Sequence, residues 1–455
     1  MMRLSAIALW THGRLLGADA DIAGVAIDTR KLKPGELFAA FRGERVDGHD
    51  YLAEAARQGA AAALVSRKVD VELPQVLVDD VEAALGDLAS AVRAQRHARV
   101  IGITGSNGKT TVKMLTASIL SLHGRTHVNS GSYNNEIGLP LTLLAMPEDA
   151  EYAVLEMGAG KPGDIAYLAA IARPDIGLVN IIAPAHLERM GSVEVVAETK
   201  GALYQALPAD GVAIINADDA FAGFFAALAG TRRVLRFGLE HKADVGADIV
   251  EQRTDGSLFV LSTPAGDAEV ALALPGRHNV ANALAAASIA LALDVPLDTI
   301  VAGLERAAPV EGRLRRETMP GGWILVDDSY NANPSSMAAA IDTLALAAGE
   351  RWLVVGDMAE LGADASALHA GVGARAREKG IDRVFAIGPL SRAVAEAFGG
   401  QGEHFADKPA LVEALKASLH EGVTCLVKGS HSSGMEQVVA ELKRHANEGG
   451  ADNAA

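Results

Sequence analysis

The clearest chemical signal in the chain is a glycine-rich run that carries one lysine. It reads Gly102-Ile-Thr-Gly105-Ser-Asn-Gly108-Lys109-Thr110-Thr111 and begins inside the apolar stretch Val100–Thr104. Glycines let a backbone approach phosphate oxygens, and amide groups at the start of a helix point at an anion. The glycines fall every third residue, which departs from the common pattern G-x-x-x-x-G-K-[ST], but the strand–turn–helix context predicts a nucleoside triphosphate site. The residues predicted to contact ATP are Gly105, Ser106, Asn107, Gly108, Lys109, Thr110 and Thr111.

Three side chains could neutralise the charge of the bound phosphates, either directly or through a bound metal ion. Lys109 is expected to bridge the β- and γ-phosphates, and the Thr110 hydroxyl to bind Mg²⁺. Glu156 ends the apolar run Tyr152–Leu155, at the strand edge where ligands of open α/β sheets gather, and its carboxylate suits Mg²⁺. Taken alone, a glutamate in this position is more often an ordinary surface residue.

A histidine and a lysine further along the chain are ambiguous on spacing alone. His186 follows another apolar run, Ile176–Ile181, but a lone histidine more often has a structural role than a ligand. Lys200 lies in a helical pattern and by itself is typical of a solvated lysine. Both residues are therefore candidates whose role the local pattern leaves open.

The composition narrows the class of protein. The chain has 455 residues, of which 49% are apolar and 22% charged, and the formal net charge is −16. Such an acidic balance argues against a nucleic-acid partner. The single cysteine, Cys425, excludes an internal disulfide framework and fits a reducing compartment. The longest apolar run, Ala283–Leu293, is shorter than the ~20 residues that span a bilayer, so we expect a cytoplasmic protein without membrane insertion.

The order of apolar runs and helical patterns predicts the architecture. Strand-like runs alternate with helices along most of the chain, which indicates α/β folding with parallel sheets. A hairpin is expected around Pro264-Ala-Gly-Asp267. We predict three domains: a small α/β domain over residues 1–97, a central P-loop ATPase domain with a parallel sheet over 98–311, and a C-terminal Rossmann-like domain over 312–455.

Several further runs, together with the glycine-rich loop, resemble the Mur ligase family, which builds the peptide stem of bacterial cell-wall precursors. The resemblance extends over nearly the whole chain. The runs that carry it are Asp28-Thr-Arg30-Lys-Leu-Lys-Pro-Gly35, Asp47-Gly-His49-Asp, Asn134-Asn135-Glu-Ile-Gly138, Ala185-His186-Leu-Glu188, Gly276-Arg-His278-Asn279-Val-Ala-Asn282, Asp327-Asp-Ser-Tyr330-Asn331-Ala-Asn333-Pro334, Gly356-Asp357-Met-Ala-Glu-Leu-Gly362 and Val427-Lys428-Gly-Ser430.

The resemblance implies an ATP-dependent amide ligase. Within the family, these runs are similar to those of members that join D-alanyl-D-alanine to UDP-N-acetylmuramoyl-tripeptide through an acyl phosphate, with release of ADP and phosphate. It also implies two Mg²⁺ ions, the second near His186, and a Lys200 that CO₂ has carbamylated. The family usually has Lys-Gly-Glu at this point, whereas this chain has Lys200-Gly201-Ala202. We expect catalytic roles for Lys109, His186 and Lys200, in a monomer.

The remaining binding residues are also implied by the resemblance. Asn279 and Asn282 are expected at the nucleotide, with Asn279 by the adenine, although asparagines this early in a helix often serve as caps. Arg313 is expected to reach the phosphates, and Asp327 to hold the ribose hydroxyls. Contacts with the UDP-linked substrate or the dipeptide are expected from Thr29, Arg30, Asn135, Tyr330, Asn331, Asn333 and Lys428.

Other functions remain to be weighed against this one. Another amide-forming relative, such as a different Mur ligase or a folylpolyglutamate-type synthase, would share the phosphate loop, but the Asp327–Pro334 and Asp28–Arg30 runs argue against both. A P-loop switch would leave Lys200 and the third domain unexplained. An ATPase acting on nucleic acid is disfavoured by the net charge of −16.

Overall fold

The computed structural model of the protein describes residues 2–43 and 45–452, with side chains through residue 446. Over this range the chain forms three regions, each built around its own largely parallel sheet with helices against it. The α/β class predicted from the alternating runs is thereby confirmed. The outermost residues of the first and last expected domains, 1 and 453–455, lie outside the described part.

The first region contains a five-stranded sheet in the order β2-β7-β6-β5-β4, in which only β2 is antiparallel to its neighbour. Asp80 begins the long helix α3 by accepting hydrogen bonds from the Glu82 and Ala83 amides, the usual work of an N-cap aspartate. The elements are β1 (Met2–Arg3), α1 (Leu4–Trp10), β2 (Arg14–Leu16), β3 (Asp21–Ile22), β4 (Val25–Ala26), β5 (Leu37–Ala39), α2 (Leu52–Arg57), β6 (Ala62–Val65), β7 (Gln75–Leu77) and α3 (Val81–Arg93).

The central region is organised by a fully parallel six-stranded sheet in the order β13-β12-β11-β8-β10-β9. Strand β8 lies inside it, and Val100, Ile101 and Ile103 are fully buried, as a continuous apolar run predicts. Its elements are β8 (Arg99–Thr104), α4 (Lys109–Leu120), β9 (Thr126–Val128), α5 (Gly138–Leu144), β10 (Tyr152–Glu156), α6 (Asp164–Ala172), β11 (Ile176–Val179), α7 (Leu187–Met190), α8 (Val193–Gln205), β12 (Val212–Asn216), α9 (Ala222–Ala229), β13 (Arg233–Phe237), β14 (Gly246–Gln252), β15 (Ser257–Thr263), β16 (Gly266–Leu272), α10 (Arg277–Ala292) and α11 (Leu297–Arg306).

A second, antiparallel sheet of three strands, β14-β15-β16, extends the central region. The hairpin expected around Pro264–Asp267 is confirmed, since β15 and β16 pair through this turn. The sequence did not predict β14, which is half-exposed along its length and changes register between Ile249 and Glu251. Such an irregular, polar strand lacks the alternation by which strands are found.

The third region has a six-stranded sheet in the order β17-β18-β22-β19-β20-β21, parallel except at β17. Asn333 caps α12 in a capping box with Ser336, and Pro334 occupies the first helical position. Its elements are β17 (Arg315–Thr318), β18 (Ile324–Asp328), α12 (Pro334–Leu344), β19 (Glu350–Gly356), α13 (Ala365–Glu378), β20 (Arg383–Ile387), α14 (Arg392–Phe398), β21 (Gly402–Phe405), α15 (Lys408–Ser418), β22 (Val423–Lys428) and α16 (Met435–Asp452).

The topology concentrates polar side chains at one place. The chain moves from β8 to opposite sides of the central sheet, so the carboxyl ends of β8, β10 and β11 form a switch point of the kind that holds ligands. The ends of β18 and β22 approach the same space from the third region. In the described residues, no helix is long and apolar enough to cross a membrane.

Candidate active site

The phosphate loop is shaped by glycine and by asparagines from neighbouring elements. Gly108 starts α4 with φ +78°, and a Cβ on this residue would collide with the side chains of Asn180 and Asn282. Asn180 Nδ2 lies 3.0 Å from the Asn107 carbonyl oxygen and 2.9 Å from Asn282 Oδ1. These contacts hold the loop around the first turn of α4, where free amides favour an anion.

Lys109 lies inside this loop with its ammonium directed back onto it. Its Nζ donates to the Gly105 carbonyl at 2.8 Å. Burial lowers the pKa of Lys109, the Glu156 carboxylate opposes that shift, and the Arg313 charge adds to it. A cation held by one carbonyl in a closed loop is well placed to exchange that contact for phosphate oxygens.

Glu156 is the centre of a hydrogen-bonded cluster at the end of β10. Thr110 Oγ1 donates to Oε2 at 2.9 Å, and Asn134 Nδ2 donates to Oε1 at 2.7 Å. Burial by itself raises the pKa of Glu156, but the charges of Lys109 and Lys113 and these two hydrogen bonds outweigh it and bring the pKa below its ordinary value. The carboxylate is therefore ionised, as a metal ligand must be.

The donor set around Glu156 fits Mg²⁺. One carboxylate and one hydroxyl are the oxygen ligands that Mg²⁺ takes while it keeps waters and substrate phosphates. Among the described residues there is no cluster of three or more His, Cys, Asp or Glu side chains that could hold a metal by themselves. The protein thus offers a partial magnesium site beside the phosphate loop, which a bound nucleotide would complete.

His186 lies across the same space and contacts the third region. It adopts a left-handed backbone conformation at φ 55°, which a non-glycine residue seldom does, and so does Glu360 at φ 60°. His186 Nδ1 forms a short contact with Glu360 Oε2. The two residues are 174 positions apart, so this contact joins the central region to the third.

Lys200 is deeply buried on α8. Its side chain is 2% exposed, and no hydrogen bond or ion pair to it is found within the described part of the chain. Burial, followed by the charge of Lys109, lowers the pKa of Lys200 to about 7. The expectation of a solvated helical lysine is wrong, because the side chain points into the protein. Lys200 does not line the cavities described next.

The residues converge on a polar cavity of about 410 Å³ between the central and third regions. Arg313 and Tyr330 form one wall, with the guanidinium carbon 4.2 Å from the ring centroid. The predicted residues that line it are Ser106, Asn107, Gly108, Lys109, Thr110, Asn135, Glu156, His186, Arg313, Tyr330, Asn331 and Asn333.

A second, more apolar cavity of about 210 Å³ lies on the other side of the loop. Asn279 and Asn282 line it together with Thr111. Asn279 Nδ2 donates to the Pro275 carbonyl, and no side chain caps the start of α10. The alternative that these asparagines serve as helix caps is therefore wrong. Met114, Leu274 and Ala339 give this cavity aliphatic surfaces suited to a base.

The structure places Asp327 away from both cavities. Successive side chains of a strand point to opposite faces, and on β18 it is Asp328 that lines the second cavity. Asp327 Oδ1 accepts hydrogen bonds from the Ser329 amide and hydroxyl. Asp328 is therefore a second candidate for the ribose role that the resemblance implies for Asp327.

Lys428 and Asn333 are also placed differently from expectation. Lys428 Nζ is paired with Asp328 at 2.7 Å and lines the second cavity rather than the one with Tyr330. Asn333 reaches the polar cavity but is occupied, since its Nδ2 donates to Asn107 Oδ1 at 2.8 Å while its Oδ1 caps α12. Both polar atoms of the Asn333 amide are therefore hydrogen-bonded within the protein, and Asn333 connects α12 to the phosphate loop.

Thr29 and Arg30 stand apart from both cavities. They lie in a short 3₁₀ helix of the first region, and neither residue lines the polar or the apolar cavity. The Arg30 side chain is 86% exposed and paired with Asp28 at 2.7 Å. An exposed arginine that a neighbouring carboxylate holds in place can meet a diphosphate at the surface of the first region.

Sequence reasoning missed several residues that the fold brings to the site. Asn134 was quoted only as part of a run, and Asn180 follows β11 at the switch point, a position that could have marked it. Lys113 is four residues after Lys109 and so on the same face of a predicted helix. Glu360 likewise stood only within the run Gly356–Gly362, and the sequence could match neither Glu360 nor Ser335 to its partner, which lies more than 170 residues away.

Comparison with known proteins shows to which family the chain is related. Family models match residues 103–290 (Mur ligase middle domain), 312–431 (Mur ligase, glutamate ligase domain) and 21–94 (Mur ligase family, catalytic domain). The chain is 47% identical to the UDP-N-acetylmuramoyl-tripeptide–D-alanyl-D-alanine ligase of Escherichia coli K12, over 95% of this chain and 96% of that one.

Solved structures give the same result. MurF from Acinetobacter baumannii superposes with a TM-score of 0.90 at 33% identity, covering 97% of this chain and 98% of that one. MurF ligase from Thermotoga maritima, solved with ADP, superposes with a TM-score of 0.82 at 27% identity over 93% and 98%. The chain belongs to the Mur ligase family and is an enzyme of the ligase class. The switch and nucleic-acid ATPase alternatives are thereby set aside.

Proposed function

We propose that this enzyme joins the amine of D-alanyl-D-alanine to the free carboxylate of UDP-N-acetylmuramoyl-tripeptide, with ATP converted to ADP and phosphate. The observation that carries the proposal is the phosphate loop with Glu156, which faces Arg313 and Tyr330 across one polar cavity. The E. coli relative with that printed activity and the T. maritima relative with bound ADP support it.

The chemistry explains why the site needs so many cations. In the first step the tripeptide carboxylate attacks the γ-phosphate, and the bond to the β-phosphate oxygen breaks, which gives an acyl phosphate and ADP. In the second step the dipeptide amine attacks the acyl carbon, loses a proton and expels phosphate. Both steps bring anions together, so Lys109 and Arg313 would bind the phosphate oxygens and stabilise the developing charge.

Thr110 and Glu156 would hold one Mg²⁺, which supplies charge neutralisation for the transferred phosphoryl group. His186 is our candidate beside a second ion. Its Nδ1 is taken by Glu360, so only Nε2 is available as a ligand. An imidazole suits Mg²⁺ less well than a carboxylate does, and the pair Thr110–Glu156 is therefore the better supported magnesium position.

We also propose that Lys200 is carbamylated. A neutral amine would attack CO₂, form an N–C bond and release one proton, which turns the side chain into an anion. Burial supports this step, because a lysine pKa of about 7 leaves a large neutral fraction at neutral pH. Ala202 stands where the family usually has glutamate, so the neighbour of the modified residue differs here.

Substrate-binding roles follow the two cavities. The apolar cavity would take the nucleoside, with Asn279 and Asn282 at the adenine and Asp327 or Asp328 at the ribose hydroxyls. Tyr330 and Asn331 would meet the dipeptide in the polar cavity, and Asn135 the substrate phosphates. Thr29 and Arg30 would meet the uridine diphosphate at the first region.

The domain limits 97/98 and 311/312 remain part of the proposal, supported by the sheets, each of which falls within one unit. We also propose that the enzyme is a monomer. The cytoplasm is the proposed compartment, since ATP is the proposed cosubstrate.

The test is ADP release by the full chain with ATP, Mg²⁺ and UDP-N-acetylmuramoyl-tripeptide. We expect release only when D-alanyl-D-alanine is also present, together with a product whose mass equals both substrates less one water. Single amino acids are the matched acceptors. Release with glutamate in place of the dipeptide would favour a folylpolyglutamate-type synthase, and release without any acceptor would contradict a ligase.

A further inference from the structure

Lys113 is a buried cation with no part in the steps above. It lies on α4 one turn after Lys109, and its side chain is among the largest that the structure buries completely, with 1% of the residue exposed. Taking an ammonium group out of water is costly unless partners replace the lost hydration. Its contacts therefore indicate what the fold gains by keeping a lysine there.

The Lys113 ammonium contacts two backbone carbonyls and one side-chain carboxylate. Nζ donates to the carbonyl oxygens of Asn129 and Gly131, each at 3.1 Å, and lies 3.4 Å from Glu156 Oε2. Two of these acceptors belong to the segment that leads from β9 toward α5, and the third is the proposed magnesium ligand. One ammonium with three donors thus serves all three.

The same segment, residues 129–135, is tied to Glu156 by further bonds. Asn129 exchanges two hydrogen bonds with the Glu156 backbone, one at its amide and one at its carbonyl, both 2.9 Å long. Asn134 Nδ2 reaches Glu156 Oε1 at 2.7 Å. Asn135, the candidate contact to the substrate phosphates, is the next residue and lines the polar cavity.

We propose that Lys113 is a positioning residue that holds Glu156 and residues 129–135 together as one unit. The magnesium ligand and the segment that meets the UDP-linked substrate are then ordered by the same ammonium, although Lys113 touches neither ligand. The identity of those ligands rests on the proposed function, whereas the positioning role rests on the contacts alone.

Lys113→Met tests the role, because methionine keeps the apolar stem and removes every donor. Hydrogen–deuterium exchange of the full chain should be about 10-fold faster in residues 129–136 and unchanged in the β15–β16 hairpin. Titration with Mg²⁺ and ADP should give at least 5-fold weaker binding. With the complete substrates, KM for the UDP-tripeptide should rise more than kcat falls.

Thr116→Val is the matched control on the same helix. Thr116 is fully buried, and its hydroxyl has no hydrogen-bond partner within the described part of the chain. The substitution keeps the shape of the side chain, so exchange, ADP binding and both kinetic constants should stay at wild-type values.

Wild-type exchange and ADP affinity in Lys113→Met would overturn the proposal, and so would faster exchange spread evenly over the central region. If Lys113→Met does not fold, Lys113→Gln decides, because it keeps a polar end but removes the charge and shortens the side chain: faster exchange in 129–136 with weaker ADP binding supports the role, and wild-type values overturn it. A wild-type enzyme that releases no ADP with the full substrates would reject the proposed function, while the exchange and binding results would still judge Lys113.

Discussion

Three lysines of the central region, of which Lys113 and Lys200 are buried and Lys109 is half-buried, differ in chemistry because their surroundings differ. Lys109 is held by a carbonyl of its own loop, Lys113 by two carbonyls and a carboxylate, and Lys200 by no hydrogen bond within the described residues. The same side chain is thus the proposed phosphate-binding cation at position 109, the proposed positioning cation at 113 and an amine with a lowered pKa at 200. At this scale, partners rather than residue type decide the role.

Lys109→Ala is expected to reduce kcat/KM for ATP by at least about 10²-fold, since a positioned donor that faces developing charge contributes this much. The variant should unfold at the wild-type temperature, because within the described residues Lys109 makes a single hydrogen bond, to the Gly105 carbonyl. Steady-state ADP release and thermal unfolding measure both. Lys242→Ala, an exposed lysine, is the control, and near-normal activity of Lys109→Ala would refute the assignment of the phosphate loop.

Lys200→Met should stabilise the fold while it abolishes activity. The pKa of Lys200 is about 7 when folded, against an ordinary value of 10.5, so between these pH values the unfolded chain binds more protons and wild-type stability rises with pH. Methionine removes this cost. The gain in the free energy of unfolding should be on the order of 4 kcal/mol at pH 7 and shrink toward pH 10.

Denaturant unfolding at pH 7, 8.5 and 10 in CO₂-depleted buffer measures this effect. A difference in stability between Lys200→Met and wild type that does not change with pH would show that Lys200 gains no proton on unfolding. The pKa of Lys200 in the folded protein would then not be lowered. Activity of the wild-type enzyme in the same depleted buffer is the companion measurement. Full activity there would count against carbamylation.

At the scale of elements, the start of α12 and the phosphate loop form one hydrogen-bonded junction. Asn107 Nδ2 donates to Ser335 Oγ at 2.6 Å, and Asn333 Nδ2 donates to Asn107 Oδ1 at 2.8 Å. Asn333 Oδ1 also accepts from the Ser336 amide, which is the N-cap bond of the helix. A residue of the proposed dipeptide site therefore also positions a helix and contacts the ATP loop.

The junction and the cap can be separated by two substitutions. Asn333→Ala removes the cap and one of the two junction bonds, and it should cost about 1 kcal/mol of stability, the usual loss for an N-cap, and raise KM for ATP. Ser335→Ala removes the other junction bond and leaves the cap, so it should raise KM for ATP with a stability change below about 0.5 kcal/mol. Equal stability losses in the two variants would show that Asn333 does not act as a cap.

At the scale of the whole molecule, the site exists only where two regions meet. Lys109 and Glu156 belong to the central region, whereas Arg313 and Tyr330 come from the third, and one cavity contains all four. Closure of such a cavity excludes water from a reactive acyl phosphate. The contact between His186 and Glu360 crosses this boundary and joins two backbones in left-handed conformations.

Glu360→Ala should shift the ligand-free protein toward open arrangements without lowering its unfolding temperature. Polar contacts between side chains as exposed as these contribute about 0–1 kcal/mol, enough to change the ratio of open to closed forms by up to about fivefold but too little to unfold a region. Small-angle scattering should show a larger radius of gyration than wild type, and Mg²⁺ with an ATP analogue should reduce the difference. Glu378→Ala is the control. Identical scattering curves for Glu360→Ala and wild type would argue against the idea that the contact between His186 and Glu360 favours the closed arrangement.

The sequence alone predicted the phosphate loop, the alternation of strands and helices, and the three regions. These features are local: glycine spacing, apolar runs and cap residues act within a few positions, so their pattern survives in the linear chain. The family could also be recognised from short runs such as Ala185–Glu188. The candidate residues Lys109, Thr110 and Glu156 follow from the same local logic, since Lys109 and Thr110 begin the helix after the glycine-rich turn and Glu156 ends a strand.

Tertiary structure decided the rest. The register of β18 directs Asp328 rather than Asp327 toward the second cavity, packing buries Lys200 and Lys113, and contacts across more than 170 residues join His186 to Glu360 and Asn107 to Asn333. Each outcome depends on what packs against a side chain. That neighbour is set by the folded arrangement of distant elements, which no local pattern contains.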